Sequence, residues 1–320
     1  MMGRVLTFFD PLVRLLLVAI FAASVLPVSG QGAVIARSVS DVAIFLLFLL
    51  NGLRLPRAEI WRGMRNARVL VPLILWVFAV MGLAGWGVSE IAEGILPASI
   101  ALGFIFLGVL PSTVQSATAY TSIAGGNVAN SVVAAAVLNI LGVFITAPIM
   151  AFVANSGTPG VDLSGLQRIG MILLLPFVIG QALQSRLGAL VQDNRTMIGW
   201  MDRIAIAIAV YAAFSSAVVQ GLWSLLDASG WALMLGLVIA LLAFAFVGAW
   251  MVSGVLGLPR EDRISFLFAG AQKSIAMGAP LAAVLFPPAV AGLVLLPVLI
   301  YHLLQLVISA PLASRFTPPQ

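Results

Sequence analysis

The chain has no cysteine, a single histidine (His302) and a single lysine (Lys273) in 320 residues. Without cysteine there are no disulfides, no thiolate metal sites and no thiol redox chemistry. One histidine alone does not build a metal centre. Charged residues are also scarce, at 8% of the chain against about 25% in soluble domains, so water is not the main solvent. The enzyme signatures HExxH and GxSxG are missing, as is the phosphate-binding P-loop. No enzymatic activity is expected, and nucleotide-driven pumping would need another chain. The net charge of +5 and pI near 10.7 are values also found in nucleic-acid-binding proteins. The arginines gather in particular connections, however, and membrane topology explains that better. The expected partner is a lipid bilayer, with no nucleic acid.

What the chain has in abundance is apolar runs of about 20 residues. We expect an all-α integral membrane protein with ten spans at 11–28, 36–53, 69–88, 95–124, 127–154, 168–187, 200–222, 231–257, 263–286 and 289–313. No connection is long enough for a soluble domain, so residues 1–320 read as one polytopic domain. The first run follows Arg4 and resembles a signal-peptide core. Arg14 interrupts it and no clear cleavage site follows Val28, so it is read as a span. Arg54, Arg57, Arg62, Arg65 and Arg68 lie between the second and third spans, with Glu59 as the sole acid. Arg186, Arg195 and Arg203, then Arg260 and Arg263, then Arg315, mark the later connections on that side. The alternate connections carry Glu90, Glu93, Asp162 and Asp227, with Arg37 and Arg168 as basic exceptions. Positive charge marks the cytoplasmic side. Both termini are therefore expected on the cytoplasmic side of the cell membrane.

Ten spans divide into five and five. An odd-numbered unit repeated in tandem enters the membrane from opposite sides, which implies inverted repeats of about 1–155 and 160–320. Such repeats often build secondary transporters, with interrupted helices at matching positions. The fourth span of each half is the least helix-like run. The first contains "GVLPSTVQSATAYTSIAGGN", with Pro111, a hydroxyl cluster and Gln115. The second contains "AGAQKSIAMGAP", with Gln272, Lys273, Ser274 and Pro280. Breaks are expected between about Pro111 and Gln115 and between about Gly270 and Ser274.

Lys273 lies roughly 15 Å from either end of its span at 1.5 Å per residue, too deep to snorkel. An ionisable group at such depth marks a substrate, ion or proton path, or it braces the carbonyls of a broken helix. No acid lies at comparable depth, Asp41 being early in the second span. Lys273 thus pairs with dipoles, loses its proton through desolvation, or meets an anion. Gln115, Ser116, Ser131, Asn139, Gln272 and Ser274 are the neutral candidates beside it. Asn127 is read as a helix cap and His302 as a hydrogen-bonded packing residue.

Pro111 opening the broken span, "NGLRL" at 51–55 and above all "GNVANS" at 126–131 resemble the bile acid:sodium symporter superfamily in its SBF-like branch. The resemblance spans essentially the whole chain. It implies a panel and a core domain, with the fourth and ninth helices crossing at unwound centres, and transport of amphipathic organic anions with sodium. Under it Ser131 and Gln272 match sodium ligands, and Gln115 and Ser116 fall where the family has a serine–asparagine pair. The family's acidic ligand in E-x-G-x-Q-N falls on Phe268, and its asparagine on Lys273. Two sodium ions are therefore electrostatically disfavoured. Related cation/proton antiporters place an aspartate in the fifth helix, where this chain offers Asn139. The expectation is a secondary active, symporter-like carrier of a small or amphipathic organic anion, with sodium or a proton as coupling ion and no other cofactor. The alternatives are a proton-coupled or uncoupled anion carrier, and a membrane regulatory or scaffold protein that does not transport.

Overall fold

Apolar chain in a bilayer has no water to satisfy its N–H and C=O groups, so it folds as helix wherever it can. The computed structural model describes residues 11–54, 67–155 and 170–317, and among these there is no strand. The helices are α1 (Pro11–Val25), α2 (Gly30–Arg54), α3 (Ala67–Ala92), α4 (Ala98–Val109), α5 (Gln115–Ile123) and α6 (Val128–Asn155). They continue with α7 (Gly170–Asp193), α8 (Arg195–Val219), α9 (Ala228–Val255), α10 (Arg260–Ala271), α11 (Ile275–Leu285) and α12 (Pro288–Phe316). Seven are long and apolar enough to cross a membrane, while α1 and α4 are shorter apolar helices. The expected spans at 95–124 and 263–286 are each two helices, α4 with α5 and α10 with α11. Arg57, Glu59, Arg62, Arg65, Asp162 and Arg168, on which part of the charge argument rests, lie outside the described residues.

Local chemistry sets several ends. The Asp227 carboxylate accepts from Gly230 N–H at 2.8 Å and caps α9. The other end of α9 closes on Gly257 at φ 62°. There Leu258 N–H reaches Ser253 C=O at 3.2 Å and Gly257 N–H reaches Gly254 C=O at 3.0 Å, a Schellman closure.

The chain forms two compact units. The first draws on 1–56, 151–225 and 279–293, hence on α1, α2, α7 and α8. Within it α2 and α7 pack backbone to backbone. A Cβ on Gly180 would lie 2.2 Å from Leu49 C=O, and one on Gly52 2.3 Å from Phe177 C=O. Gln181 donates to Gly52 C=O at 2.6 Å, and an Arg54–Asp202 ion pair ties α2 to α8.

The second unit draws on 57–150, 226–278 and 294–320. Its α3 contains a π-helical turn at Leu75–Val80. Trp76 on that turn stacks on Phe244 of α9, with ring centroids 5.6 Å apart. A Cβ on Gly248 would lie 2.2 Å from the Trp76 ring, so only glycine admits the indole there.

Candidate functional site

The site lies wholly within the second unit and begins with unpaired backbone. A helix that stops leaves its last carbonyls without intrahelical partners. Pro111, with no N–H of its own, leads the chain out of α4 into an extended stretch before α5. Each carbonyl from Gly108 to Ser112 nonetheless has a donor from another element. Gly108 C=O and Leu110 C=O accept from Lys273 Nζ at 2.7 and 2.8 Å. Val109 C=O accepts from the Thr146 hydroxyl at 2.6 Å. Pro111 C=O accepts from Ser274 N–H at 2.9 Å, and Ser112 C=O from Asn139 Nδ2 at 3.0 Å.

The second break, residues 272–274 between α10 and α11, is held the same way. Gly270 C=O accepts from Trp76 Nε1 at 3.2 Å, and Ala271 C=O from the Tyr301 hydroxyl at 2.6 Å. Gln305 clamps the backbone of Lys273 with both ends of its amide. Its Oε1 accepts from Lys273 N–H at 2.7 Å, and its Nε2 donates to Lys273 C=O at 3.0 Å. His302 Nδ1 lies 3.4 Å from that carbonyl. Ser274 Oγ accepts from Met277 N–H at 3.3 Å, capping α11. The Ser274–Pro111 backbone bond joins the two breaks directly.

Lys273 is fully buried. Beyond the two carbonyls of the α4 end, its Nζ donates to Val77 C=O on the π-helical turn at 2.9 Å. An ammonium has three donors and no acceptor, and here three carbonyls meet it. Two of them stand at the negative end of a helix dipole, where a cation is favoured. Phe268, five residues earlier, packs beside the rings of Tyr120 and Phe246 at 5.8 and 6.5 Å. No carboxylate stands at that position.

Beside the lysine lies a cluster of side-chain oxygens. Thr113 Oγ1 and Ser116 Oγ are each 2.6 Å from Gln272 Oε1 and 2.7 Å from one another. The other end of the buried Gln272 amide donates to Ser309 Oγ at 3.1 Å. On the next turns of α5, Thr118 and Thr121 place their hydroxyls 3.4 Å from buried Ser131 Oγ.

The structure thus brings Ser116, Asn139, Gln272, Lys273 and Ser274 together at the paired breaks. Ser131 belongs to the adjoining hydroxyl set. Gln115 is exposed at the start of α5 and is not among them. Thr113, not Gln115, faces Gln272. Thr146, Trp76, Tyr301, Gln305 and Ser309 escaped the sequence reading. A signal was present for two of these: His302, Gln305 and Ser309 recur at helical spacing along an otherwise apolar span. The "GNVANS" stretch is a joint. Asn127 Oδ1 accepts from Asn130 N–H at 3.1 Å, capping α6, while Asn127 and Asn130 donate to Asp262 Oδ1 at 2.9 and 2.7 Å.

An all-helical membrane chain whose two broken helices meet backbone to backbone around buried polar groups has the build of a membrane transporter. Residues 10–318 match the SBF-like CPA transporter family, and the chain belongs to it. It is 37% identical to "Uncharacterized protein PA2026" of Pseudomonas aeruginosa over 94% of this chain and 91% of that one. It is 36% identical to "Putative symporter YfeH" of Escherichia coli, over 96% and 92%. It is 24% identical to "Sodium/bile acid cotransporter 7" of Mus musculus, over 93% and 89%.

Proposed function

We propose that this chain is a secondary active carrier of a small or amphipathic organic anion, working by alternating access about the paired breaks. Lys273 serves as a built-in cation in place of a bound one. The observation that carries this reading is the buried Lys273 Nζ within hydrogen-bond distance of three backbone carbonyls, in a site whose family carboxylate position holds Phe268. A sodium ion added beside that ammonium would meet like charge with no acid to offset it. The ammonium is occupied by carbonyls, so it favours an anion through its field rather than by contact. The N-termini of α5 and α11, both at the breaks, add to that field. Ser116, Ser131, Asn139, Gln272 and Ser274 supply neutral ligands.

The make-up of the units supports ten spans in two inverted repeats. The helices at the first and second expected spans of each half fall in the first unit. Those at the third and fourth fall in the second, apart from the end of α11, with most of the fifth. The arginine-rich connections support both termini lying on the cytoplasmic side of the cell membrane.

The test is uptake into proteoliposomes of a bile-acid conjugate and of small mono- and dicarboxylates, against sodium and pH, for wild type and Lys273→Met. Weak sodium dependence in the wild type, with transport lost or newly cation-dependent in the variant, supports the built-in cation. Strict sodium dependence that survives unchanged in the variant refutes it. The same three carbonyl bonds favour a second reading, in which the lysine only braces the break. The variant then loses stability, while surviving protein keeps its original ion dependence. A protein that moves no anion under any gradient is a regulator or scaffold.

A further inference from the structure

The first unit contains a cavity of about 170 Å³, lined by residues of α2, α8, α11 and α12 and by Val28 just ahead of α2. A cavity of about 150 Å³ holds benzene, so this one has room for a single ring with a short arm. Its walls are held apart by contacts made outside the space. A Cβ on Gly292 would lie 2.6 Å from Ala213 C=O, which seats α12 against α8. The Tyr211 hydroxyl donates to Leu26 C=O at 2.9 Å and ties α8 to the α1–α2 connection. We propose that this cavity is a binding site for a small uncharged amphiphile, an alcohol of about one ring in size.

Ser40 is the observation that points to a ligand. It is 2% exposed, and its hydroxyl has no hydrogen-bond partner. A serine inside a helix can bond back to the carbonyl four residues earlier. Ser38 on the same helix does so, donating to Val34 C=O at 3.1 Å. Ser40 does not, and it lines the cavity. A buried polar group without a partner is costly, and a bound molecule that hydrogen-bonds it removes the cost. Ser216 of α8 also lines the cavity. Its Oγ accepts from Gln220 Nε2 at 3.3 Å, and that leaves its own proton to donate.

The rest of the lining sets the class of molecule. Arg37 and Asp41 of α2 both border the cavity, and both are already engaged within the protein. Neither sign of charge is left over for a ligand. Apart from these two and the two serines, the lining is alanine, valine and proline, among them Val28, Ala212, Ala283 and Pro288. An ion entering here gives up its water for a surface that does not pair it, which is costly. An uncharged molecule with one polar end lays its apolar body against those side chains and its hydroxyl against Ser40 and Ser216. The site is independent of the carrier reading, because it uses none of the residues at the breaks.

The test is calorimetric titration of the purified full-length protein in detergent, with no ion gradient, against benzyl alcohol and its charged counterparts benzoate and benzylammonium. Ala212→Leu fills the cavity, and the saturable heat that it removes reports the site. Benzyl alcohol should bind there at least about tenfold more tightly than either ion. Ser40→Ala should weaken that binding several-fold while leaving the unliganded protein no less stable to heat, because the hydroxyl it removes has no partner. No saturable binding of benzyl alcohol by the wild type overturns the proposal. So does binding that persists unchanged in Ala212→Leu, binding unaffected by Ser40→Ala, or an ion that binds the same site as tightly as the alcohol. Each of those results leaves the carrier reading standing.

Discussion

Replacing Gln305 by Met keeps the length and shape of the side chain and removes its amide. In the folded protein that amide holds both backbone groups of Lys273, the N–H at 2.7 Å and the C=O at 3.0 Å, and the residue is fully buried. The substitution leaves the buried N–H without its partner and the C=O with only His302 Nδ1, 3.4 Å away. At about 1–3 kcal/mol for each group that loses its bond, the loss is at most about 6 kcal/mol. Measured hydrogen bonds between membrane helices are weaker, near 0.6 kcal/mol each, which sets a floor of about 1.2 kcal/mol for the pair. Reversible unfolding in mixed micelles of rising denaturing-detergent content reads this directly. Gln220→Met, at an exposed glutamine bonded to Ser216, is the control and should stay within about 0.5 kcal/mol of wild type. If Gln305→Met also stays within about 0.5 kcal/mol, the second break is not held by this amide and the accounting of its backbone is wrong.

Two glycines two residues apart on α3 should respond in opposite directions. A Cβ on Gly85 would lie 2.4 Å from Phe104 C=O on α4, whereas one on Gly87 meets nothing within 4 Å. Gly85→Ala should therefore cost about 1–3 kcal/mol through overpacking, and Gly87→Ala should add up to about 1 kcal/mol through helix propensity, both read in the same unfolding titration. Asp227, at the head of α9, is held below its ordinary value of 3.8 by the Gly230 N–H and the Ser229 hydroxyl. Its contribution is fully present above that value and is lost as pH falls through the lower folded value. Thermal stability of wild type relative to Asp227→Asn should therefore be flat above about pH 5 and narrow only at more acid pH. A difference that grows on acidification would contradict the cap.

The membrane class, the helical secondary structure and the positions of both breaks were legible in the chain, because each follows from local chemistry. Twenty apolar residues in lipid have little choice but helix. Pro111 has no N–H to continue α4, and the chain's lone lysine at mid-span cannot reach water. The observed breaks at 110–114 and 272–274 fall where those constraints placed them. Which group satisfies which was not legible, because partners are chosen across long sequence separations. The lysine reaches Leu110 across 163 residues and Val77 across 196. Thr113 rather than Gln115 meets Gln272 because Thr113 lies in the extended stretch, while Gln115 already belongs to α5 and takes its direction from that helix's packing. The polar face of His302, Gln305 and Ser309 was written in the spacing, but only docking against the second break gave it backbone to bind. Ser40 makes the same point from the other side. Its neighbours in sequence resemble those of Ser38, and only the small residues brought up by α8, α11 and α12 leave its hydroxyl facing a cavity. Backbone demand is local, and so it can be read from a string of residues. The supply that meets it comes from whichever surfaces tertiary packing brings within 3 Å.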